Sequence, residues 1–152
     1  MKSKYNNTKV EYDGHKFDSI DECKYYQYLL LEKKFSRVKE IELQPRITLI
    51  PNFTDLSGKK QRGTTYTPDF CVTYQDNSRE YIDVKGYSSQ QGELRKKLYD
   101  YFVSAGRWIH RIPLRWISAS KKWGDASGFI DYDELAKKRK NAKKGVTYLE
   151  GL

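Results

Sequence analysis

Thr67-Pro68-Asp69-Phe70-Cys71-Val72-Thr73-Tyr74-Gln75 runs into Asp76-Asn77-Ser78 and comes back as Arg79-Glu80-Tyr81-Ile82-Asp83-Val84-Lys85-Gly86. Asp, Asn and Ser mark a turn, because their short polar side chains bond to the nearby backbone and tolerate left-handed φ. Phe70, Val72 and Tyr74 recur at every second residue before the turn, and Ile82 and Val84 do so after it. That is the period of strands with one buried face, so the stretch reads as a hairpin of strands 65–75 and 79–86. Positions 69 and 83 are equidistant from Asp76, and a symmetric hairpin sets Asp69 and Asp83 opposite one another. The same period puts Asp83 and Lys85 on one face and Ile82 and Val84 on the other. One side of the hairpin is thus expected to be buried, and the opposite side to present two carboxylates and an ammonium.

Two carboxylates about 5 Å apart repel, and one of them takes a raised pKa unless a cation sits between them. A hard divalent ion such as Mg²⁺, held by one or two carboxylates and keeping several waters, relieves the repulsion. Mn²⁺ is expected to substitute. Such an ion lowers the pKa of a bound water and stabilises charge on a phosphoryl group. Lys85 is placed to orient or deprotonate that water, or to shield the developing charge.

Upstream, residues 1–12 read as a loose arm or a short edge strand, and Asp13-Gly14 as a tight turn. Ser19 and Glu22 have the spacing of a capping box, with Phe17 and Cys23 placed for a hydrophobic staple. A helix follows over 20–34, its inner side carrying Ile20, Cys23, Gln27, Leu30 and Leu31. Residues 38–50 alternate through Ile41, Leu43, Ile47 and Leu49, giving a long strand broken at Pro45. Residues 51–64 form a polar loop with Lys59, Lys60 and Arg62. Beyond the hairpin, 89–105 reads as a helix with Leu94, Leu98, Tyr101 and Phe102, stopped by Gly106. Residues 108–118 form a strand, placed at a sheet edge by Pro113. A final helix over 131–144 opens with acids and ends with bases, as the helix dipole prefers. The order helix, three strands, helix, strand, helix predicts an α/β (α+β) fold, a mixed sheet flanked by helices. One domain is expected over 1–152, with a core at about 17–118 and a C-terminal strand and helix extension over 119–152.

The chain's 152 residues suit one domain, and 29 Lys and Arg against 20 Asp and Glu leave a net charge of +9. That excess points to a polyanionic partner, nucleic acid first and an anionic membrane surface second. An aromatic content of 14% argues against disorder. The apolar runs are short, so neither a membrane span nor a secretory signal is expected. Cys23 and Cys71 lack a metal-knuckle spacing and read as reduced thiols in a cytoplasmic protein, Cys23 within the core. His15 and His110 are too few for a His-rich zinc site and read as packed or surface residues. Carboxylates and Lys85 must therefore carry any acid–base or metal chemistry, and no small-molecule cofactor is expected.

Pro68-Asp69 followed by Asp83-Val84-Lys85 resembles the PD-(D/E)xK nuclease superfamily, which includes type II restriction enzymes and Holliday junction resolvases. The wider pattern of F-D-S-x-x-E at 17–22, L-x-x-Q-P at 41–45 (there I-E-L-Q-P), P-D-F at 68–70 and D-V-K-G at 83–86 is similar to small phage and mobile-element proteins of that superfamily. The resemblance covers about two-thirds of the chain and implies a restriction-endonuclease-like αβββαβ core. It implies that Asp69 and Asp83 hold the metal, that Glu22 assists and the Val84 carbonyl adds a ligand, and that Lys85 acts on the water.

Each of these residues also has a plainer reading. Glu22 fits as the capping partner of Ser19, a role hard to combine with metal binding. Asp83 and Lys85 fit a solvated strand face, and Asp69 a residue of the turn before a strand. Gln44 fits a site or DNA contact and equally a strand-edge amide. Lys59, Lys60 and Arg62, Lys121 and Lys122, and Lys137, Lys138, Arg139 and Lys140 are the expected phosphate contacts, the last four also reading as a solvated helix end. Trp123 reads as core cover or as a surface for a base to stack on.

Together these readings lead to a Mg²⁺-dependent endodeoxyribonuclease, phage- or mobile-element-encoded, acting on branched DNA as a homodimer or higher symmetric oligomer. A sequence-specific homing or restriction-type endonuclease is the first alternative. A nucleic-acid-binding module without catalysis is the second.

Overall fold

The computed structural model describes residues 8–106 and 111–145. Residues 1–7 of the arm, and Trp108, Ile109 and His110 at the start of the expected 108–118 strand, lie outside them. Asp13 and Gly14, at φ 53° and 74°, close a hairpin of β1 (Val10–Tyr12) and β2 (His15–Phe17). Two positive φ values in succession are what Asp-Gly supplies most cheaply. Ser19 caps α1 (Ile20–Lys34), its Oγ accepting the Glu22 N–H at 3.1 Å.

Strand β3 (Val38–Leu43) ends where Gln44 turns to φ 49° ahead of the buried Pro45. The break at Pro45 moves the chain into another sheet. Strand β4 (Ile47–Ile50) is followed by β5 (Phe53–Thr54) and β6 (Lys60–Gln61), which pair with each other, and then by β7 (Thr64–Tyr66), which returns to pair with β4. Residues 51–64, expected as a loop, are therefore largely a hairpin.

Strand β8 (Phe70–Tyr74) turns into β9 (Arg79–Val84) with Phe70 opposite Ile82 and Val72 opposite Glu80. One step further, that register sets Asp69 against Asp83, as the symmetric hairpin predicts. Helix α2 (Gln90–Ser104), capped by Ser89, crosses to β10 (Leu114–Ala119); β11 (Phe129–Asp131) and α3 (Tyr132–Lys143) follow.

Five strands form one mixed sheet in the order β11-β10-β9-β8-β3, parallel between β9 and β10 and antiparallel elsewhere. The succession α1-β3-β8-β9-α2-β10 is the α-β-β-β-α-β order expected. This is a mixed α/β (α+β) fold. Among the described residues no helix is long and apolar enough to cross a membrane.

Both faces of the sheet are covered, whereas the sequence suggested one buried face. Helix α1 closes the first over Phe70, Val72, Ile82, Val84 and Ile117. Tyr66, Leu49, Tyr99, Leu114 and Trp116 pack together on the second, the side that carries Asp83.

Helix α1 buries Glu22, Cys23, Tyr25, Tyr26 and Leu29, while Ile20 and Leu31 are about half exposed and Gln27 is exposed. The expected stripe is rotated because two tyrosines fill the inner side. The Tyr25 ring lies 5.8 Å from Phe70 and 4.9 Å from Phe129, and Tyr26 stacks 6.4 Å from Phe70. In α2 the buried residue is Tyr99, whose hydroxyl donates to the Ile112 carbonyl at 2.6 Å; Leu94 and Tyr101 face outward. Pro113 does not mark an edge, since β10 lies between β9 and β11. The proline precedes the strand, so no ladder N–H is lost there, and its carbonyl accepts the Tyr81 N–H at 2.8 Å. Buried Phe129 and Leu135 carry the packed interior past residue 118 into the C-terminal segment.

Candidate active site

Asp69 sits one residue before β8, and its position is fixed from two sides. Its Oδ2 accepts the Val84 N–H at 2.8 Å, and its carbonyl accepts the Gln44 N–H at 2.9 Å. The left-handed turn at Gln44 is thus tied to Asp69 through the backbone. Asp83, only 4% exposed, has Oδ2 bonded by the Tyr66 hydroxyl at 2.5 Å and 3.1 Å from Lys85 Nζ. Trp116 Nε1 donates to that same Tyr66 oxygen at 2.7 Å. Trp116 can do so because the parallel register of β10 on β9 pairs it with Asp83. Lys85 Nζ also stands 5.1 Å from the centre of the Trp116 ring, and its carbonyl accepts the Ser118 hydroxyl. The ammonium is held by a carboxylate and a π face together.

Glu22 enters from the first turn of α1. With Asp69, Asp83, Val84 and Lys85 it lines one cleft of about 510 Å³. Gln44 lines a smaller pocket of about 140 Å³ that shares Glu22 and Asp69 with the cleft and is flanked by His15 and Lys16. The fold therefore gathers the candidate residues from the capping turn, the hairpin and the Pro45 break.

Burial, and then the neighbouring charges, raise the proton affinity of Glu22 and Asp69. Burial first, then the charges of Asp18 and Asp83, push Glu22 up to about 7, against hydrogen bonding from the Asp18 backbone and the Ser19 hydroxyl. Asp69 is also pushed well above the ordinary carboxylate range, by burial and then by Asp83 and Glu22, with the Val84 N–H opposing. Tyr66 is raised by burial and by Asp83, so its hydroxyl keeps its proton and remains a donor.

The donors in the cleft are hard oxygens, which suit Mg²⁺ or Mn²⁺ and not a thiophilic metal. Among the described residues no group of three or more His, Cys, Asp or Glu is arranged to hold an ion. The set fits an ion that takes one or two carboxylates and keeps its waters, with Asp69 and Asp83 as those two. Glu22 shares the cleft without completing a three-carboxylate cage.

A family model described as "Protein of unknown function (DUF1064)" matches residues 2–125. The chain belongs to the DUF1064 family. No curated protein and no solved structure matches it. The matched span of this DUF1064 chain runs from β1 through β10 and includes every residue that lines the cleft; α3 lies beyond it.

The cations expected to contact phosphates lie elsewhere in the DUF1064 chain. Lys59, Lys60 and Arg62 are on or beside the β5–β6 hairpin, Lys121 and Lys122 in the turn after β10, and Lys137, Lys138, Arg139 and Lys140 on α3. None of them lines the cleft. Lys122 Nζ lies 4.7 Å over the ring of the half-buried Trp123, covering part of the surface on which a base was expected to stack. His15 packs edge-on to Tyr26 at 5.8 Å, in keeping with its structural reading. No local pattern in the sequence marks Tyr66 or Trp116 as part of the site. Their bond to each other joins residues 50 apart and depends on both the β9–β10 register and the placement of the β4–β7 pair.

Proposed function

We propose that this chain is a Mg²⁺-dependent endodeoxyribonuclease that hydrolyses phosphodiester bonds. The observation that carries the reading is the Asp69–Asp83 pairing across the β8–β9 register, with Lys85 Nζ 3.1 Å from Asp83 in the cleft that Glu22 shares. A binding surface for a polyanion gains nothing from apposed carboxylates, which repel phosphate unless a cation joins them. The resemblance to PD-(D/E)xK nucleases and the net charge of +9 support the same reading.

Asp69 and Asp83 would hold Mg²⁺, with the Val84 carbonyl as a further ligand. When bound, Mg²⁺ supplies a water of lowered pKa and neutralises charge on the phosphoryl oxygens. Lys85, held beside Asp83 and over Trp116, orients the attacking water and stabilises charge building on the phosphate. Tyr66 keeps Asp83 in one orientation by donating to Oδ2. Glu22 adds negative charge at the cleft wall once it is ionised.

Branched DNA is the proposed substrate, on the resemblance of Pro68-Asp69 and Asp83-Val84-Lys85 to Holliday junction resolvases. Cleaving both strands takes two sites, which calls for a homodimer or higher symmetric oligomer. The test is incubation of labelled four-way junction and linear duplex with Mg²⁺ or EDTA, using wild type and Asp83→Ala. Metal-dependent junction cleavage that disappears in Asp83→Ala, with DNA binding retained, is the expected result. Cleavage of linear duplex at a single site would favour a homing or restriction-type enzyme. Binding of DNA with no cleavage of any substrate would overturn the catalytic reading.

A further inference from the structure

We propose that the β5–β6 hairpin is a nucleic-acid wedge, its apolar tip entering an unstacked base step while Lys59, Lys60 and Arg62 grip the flanking phosphates. The inference rests on the reading of the cleft as a DNA-cleaving site and assigns the recognition of branched DNA to a separate part of the chain.

An exposed leucine on its own means little. Leu56 is exposed to the full extent of its side chain, and Phe53, across the hairpin from Gln61, is 49% exposed. What distinguishes this pair is the stiffness of the loop that carries it. Asp55 Oδ1 accepts the Ser57 N–H at 2.9 Å, the Ser57 hydroxyl at 2.5 Å and the Lys59 N–H at 3.0 Å. Its Oδ2 accepts Gln61 Nε2 at 2.9 Å. Gly58 takes the φ of 86° that closes the turn, with its N–H on the Asp55 carbonyl at 3.0 Å.

The root of the hairpin is fixed as well. Asn52 Oδ1 accepts the Gly63 N–H at 2.7 Å, and a Cβ on Gly63 would come within 2.1 Å of the Ile50 carbonyl. Apolar side chains on a stiff, two-ended support enter a base stack without the entropy loss of ordering a loop.

The charge around the tip suits a phosphate backbone. Residues 51–64 hold three cations and one acid, Asp55, whose carboxylate is occupied by the turn and held down at about 2 by those bonds. A groove of about 350 Å³ runs between Phe53 and the Lys60 and Arg62 side chains. An apolar tip flanked by cations is the composition of side chains that intercalate and kink nucleic acid, where Leu and Phe act as wedges and Arg and Lys hold phosphates. The reach is also suitable. Strand β7 ends at Tyr66, bonded to Asp83, and Leu56 lies about ten residues earlier. At about 3.3 Å per residue the tip is within about 33 Å of the cleft, or roughly one turn of duplex. A duplex bound at the cleft is therefore long enough to reach the hairpin.

The test uses a four-way junction carrying 2-aminopurine at the branch, together with linear duplex, bound in EDTA by wild type, Leu56→Ser and Leu56→Ser/Phe53→Ser. Both side chains are solvent-exposed, and far-UV circular dichroism of each variant checks that the fold is unaltered. Wild type is expected to raise the 2-aminopurine fluorescence on binding. Each variant is expected to lose that rise and to bind the junction about tenfold more weakly, the scale of one lost buried apolar side chain, with little change on duplex. Variants that match wild type in fluorescence and affinity would overturn the wedge. A variant that alters only the elution volume on gel filtration would also overturn it, by assigning the tip to contact with a second copy. If wild type cuts DNA in Mg²⁺ and the variants match it in every readout, only the wedge falls. If Asp83→Ala still cuts while Leu56→Ser loses the fluorescence rise, only the catalytic reading falls. Failure of wild type to bind any DNA removes both.

Discussion

The hydroxyl of Tyr66 joins two residues that meet across β9 and β10: it donates to Asp83 Oδ2 at 2.5 Å and accepts Trp116 Nε1 at 2.7 Å. Asp83 is thereby held by a neutral donor on one side and by Lys85 on the other. Replacing Tyr66 by Phe keeps the ring and strands a buried indole N–H, which costs about 1–3 kcal/mol. It also frees the Asp83 carboxylate to rotate. Outer partners of a ligating group are worth about 10–100-fold in metal affinity or activity. Tyr66→Phe is expected to unfold at lower urea and to show Mg²⁺-dependent cleavage reduced on that scale. An unchanged urea midpoint would mean that Trp116 finds another acceptor.

Glu22 gives the metal-free protein a pH dependence whose sign can be worked out. Its carboxyl ionises at about 7 in the folded chain, against 4.5 for the ordinary group. The folded state therefore binds more protons than the unfolded state between those values, and stability falls as pH rises through them. Asp69 is shifted in the same direction and adds to the trend. In EDTA the thermal midpoint should fall between pH 5 and pH 7.5. Glu22→Gln should flatten part of that fall, and Mg²⁺ at pH 7.5 should restore the midpoint by neutralising the cleft. A midpoint insensitive to Mg²⁺ would argue that the carboxylates hold no ion.

What could be read from the chain alone follows from how local each feature is. The β8–β9 register was legible because a symmetric turn around Asp76 fixes it, and with it the opposition of Asp69 and Asp83. The cap at Ser19 and the break at Pro45 were legible for the same reason, since each depends on a few neighbouring residues. The burial of Asp83 was not legible. It depends on Trp116, brought beside it by a parallel pairing that spans the α2 crossover, and on Tyr66, carried to it on the separate β4–β7 pair. The β5–β6 hairpin was hidden because strands of two residues carry no periodicity. The orientation of α1 does not follow from periodicity, because Tyr25 and Tyr26 count as half-polar in a pattern, yet fill the core against Phe70 and Phe129.

That orientation can be checked by comparing substitutions on the two sides of α1. Leu29 is 1% exposed and packs into the cluster with Phe70, Val72 and Ile82. Leu29→Ala should cost about 2–5 kcal/mol, the range for a buried leucine that leaves a cavity. Ile20 and Leu31 are 48% and 54% exposed. Ile20→Ser and Leu31→Ser should each stay within about 0.5 kcal/mol of wild type, as surface changes do. Chemical denaturation of the three variants decides the matter, and a large loss from Leu31→Ser would mean that the stripe read from periodicity is the buried one.

If the chain acts on DNA as proposed, the cations that meet it lie outside the cleft, since none of the expected phosphate contacts lines it. Leu135 is the buried residue of α3, and Lys137, Arg139 and Lys140 project from the helix into solvent. Each phosphate neutralised by a protein cation releases counterions, and on duplex DNA it contributes about 0.9 to the slope of log affinity against log salt. Replacing Lys137, Lys138, Arg139 and Lys140 by Gln should therefore lower that slope by about 0.9 for every contact they make. It should weaken binding to junction and duplex alike, because phosphate contacts carry no preference for DNA shape. Fluorescence anisotropy titrations from low to moderate salt measure both quantities. An unchanged slope would show that α3 faces away from the DNA and that its charge is only a solvated helix end. In that case the grip passes to Lys59, Lys60 and Arg62, whose own replacement should then account for most of the salt dependence.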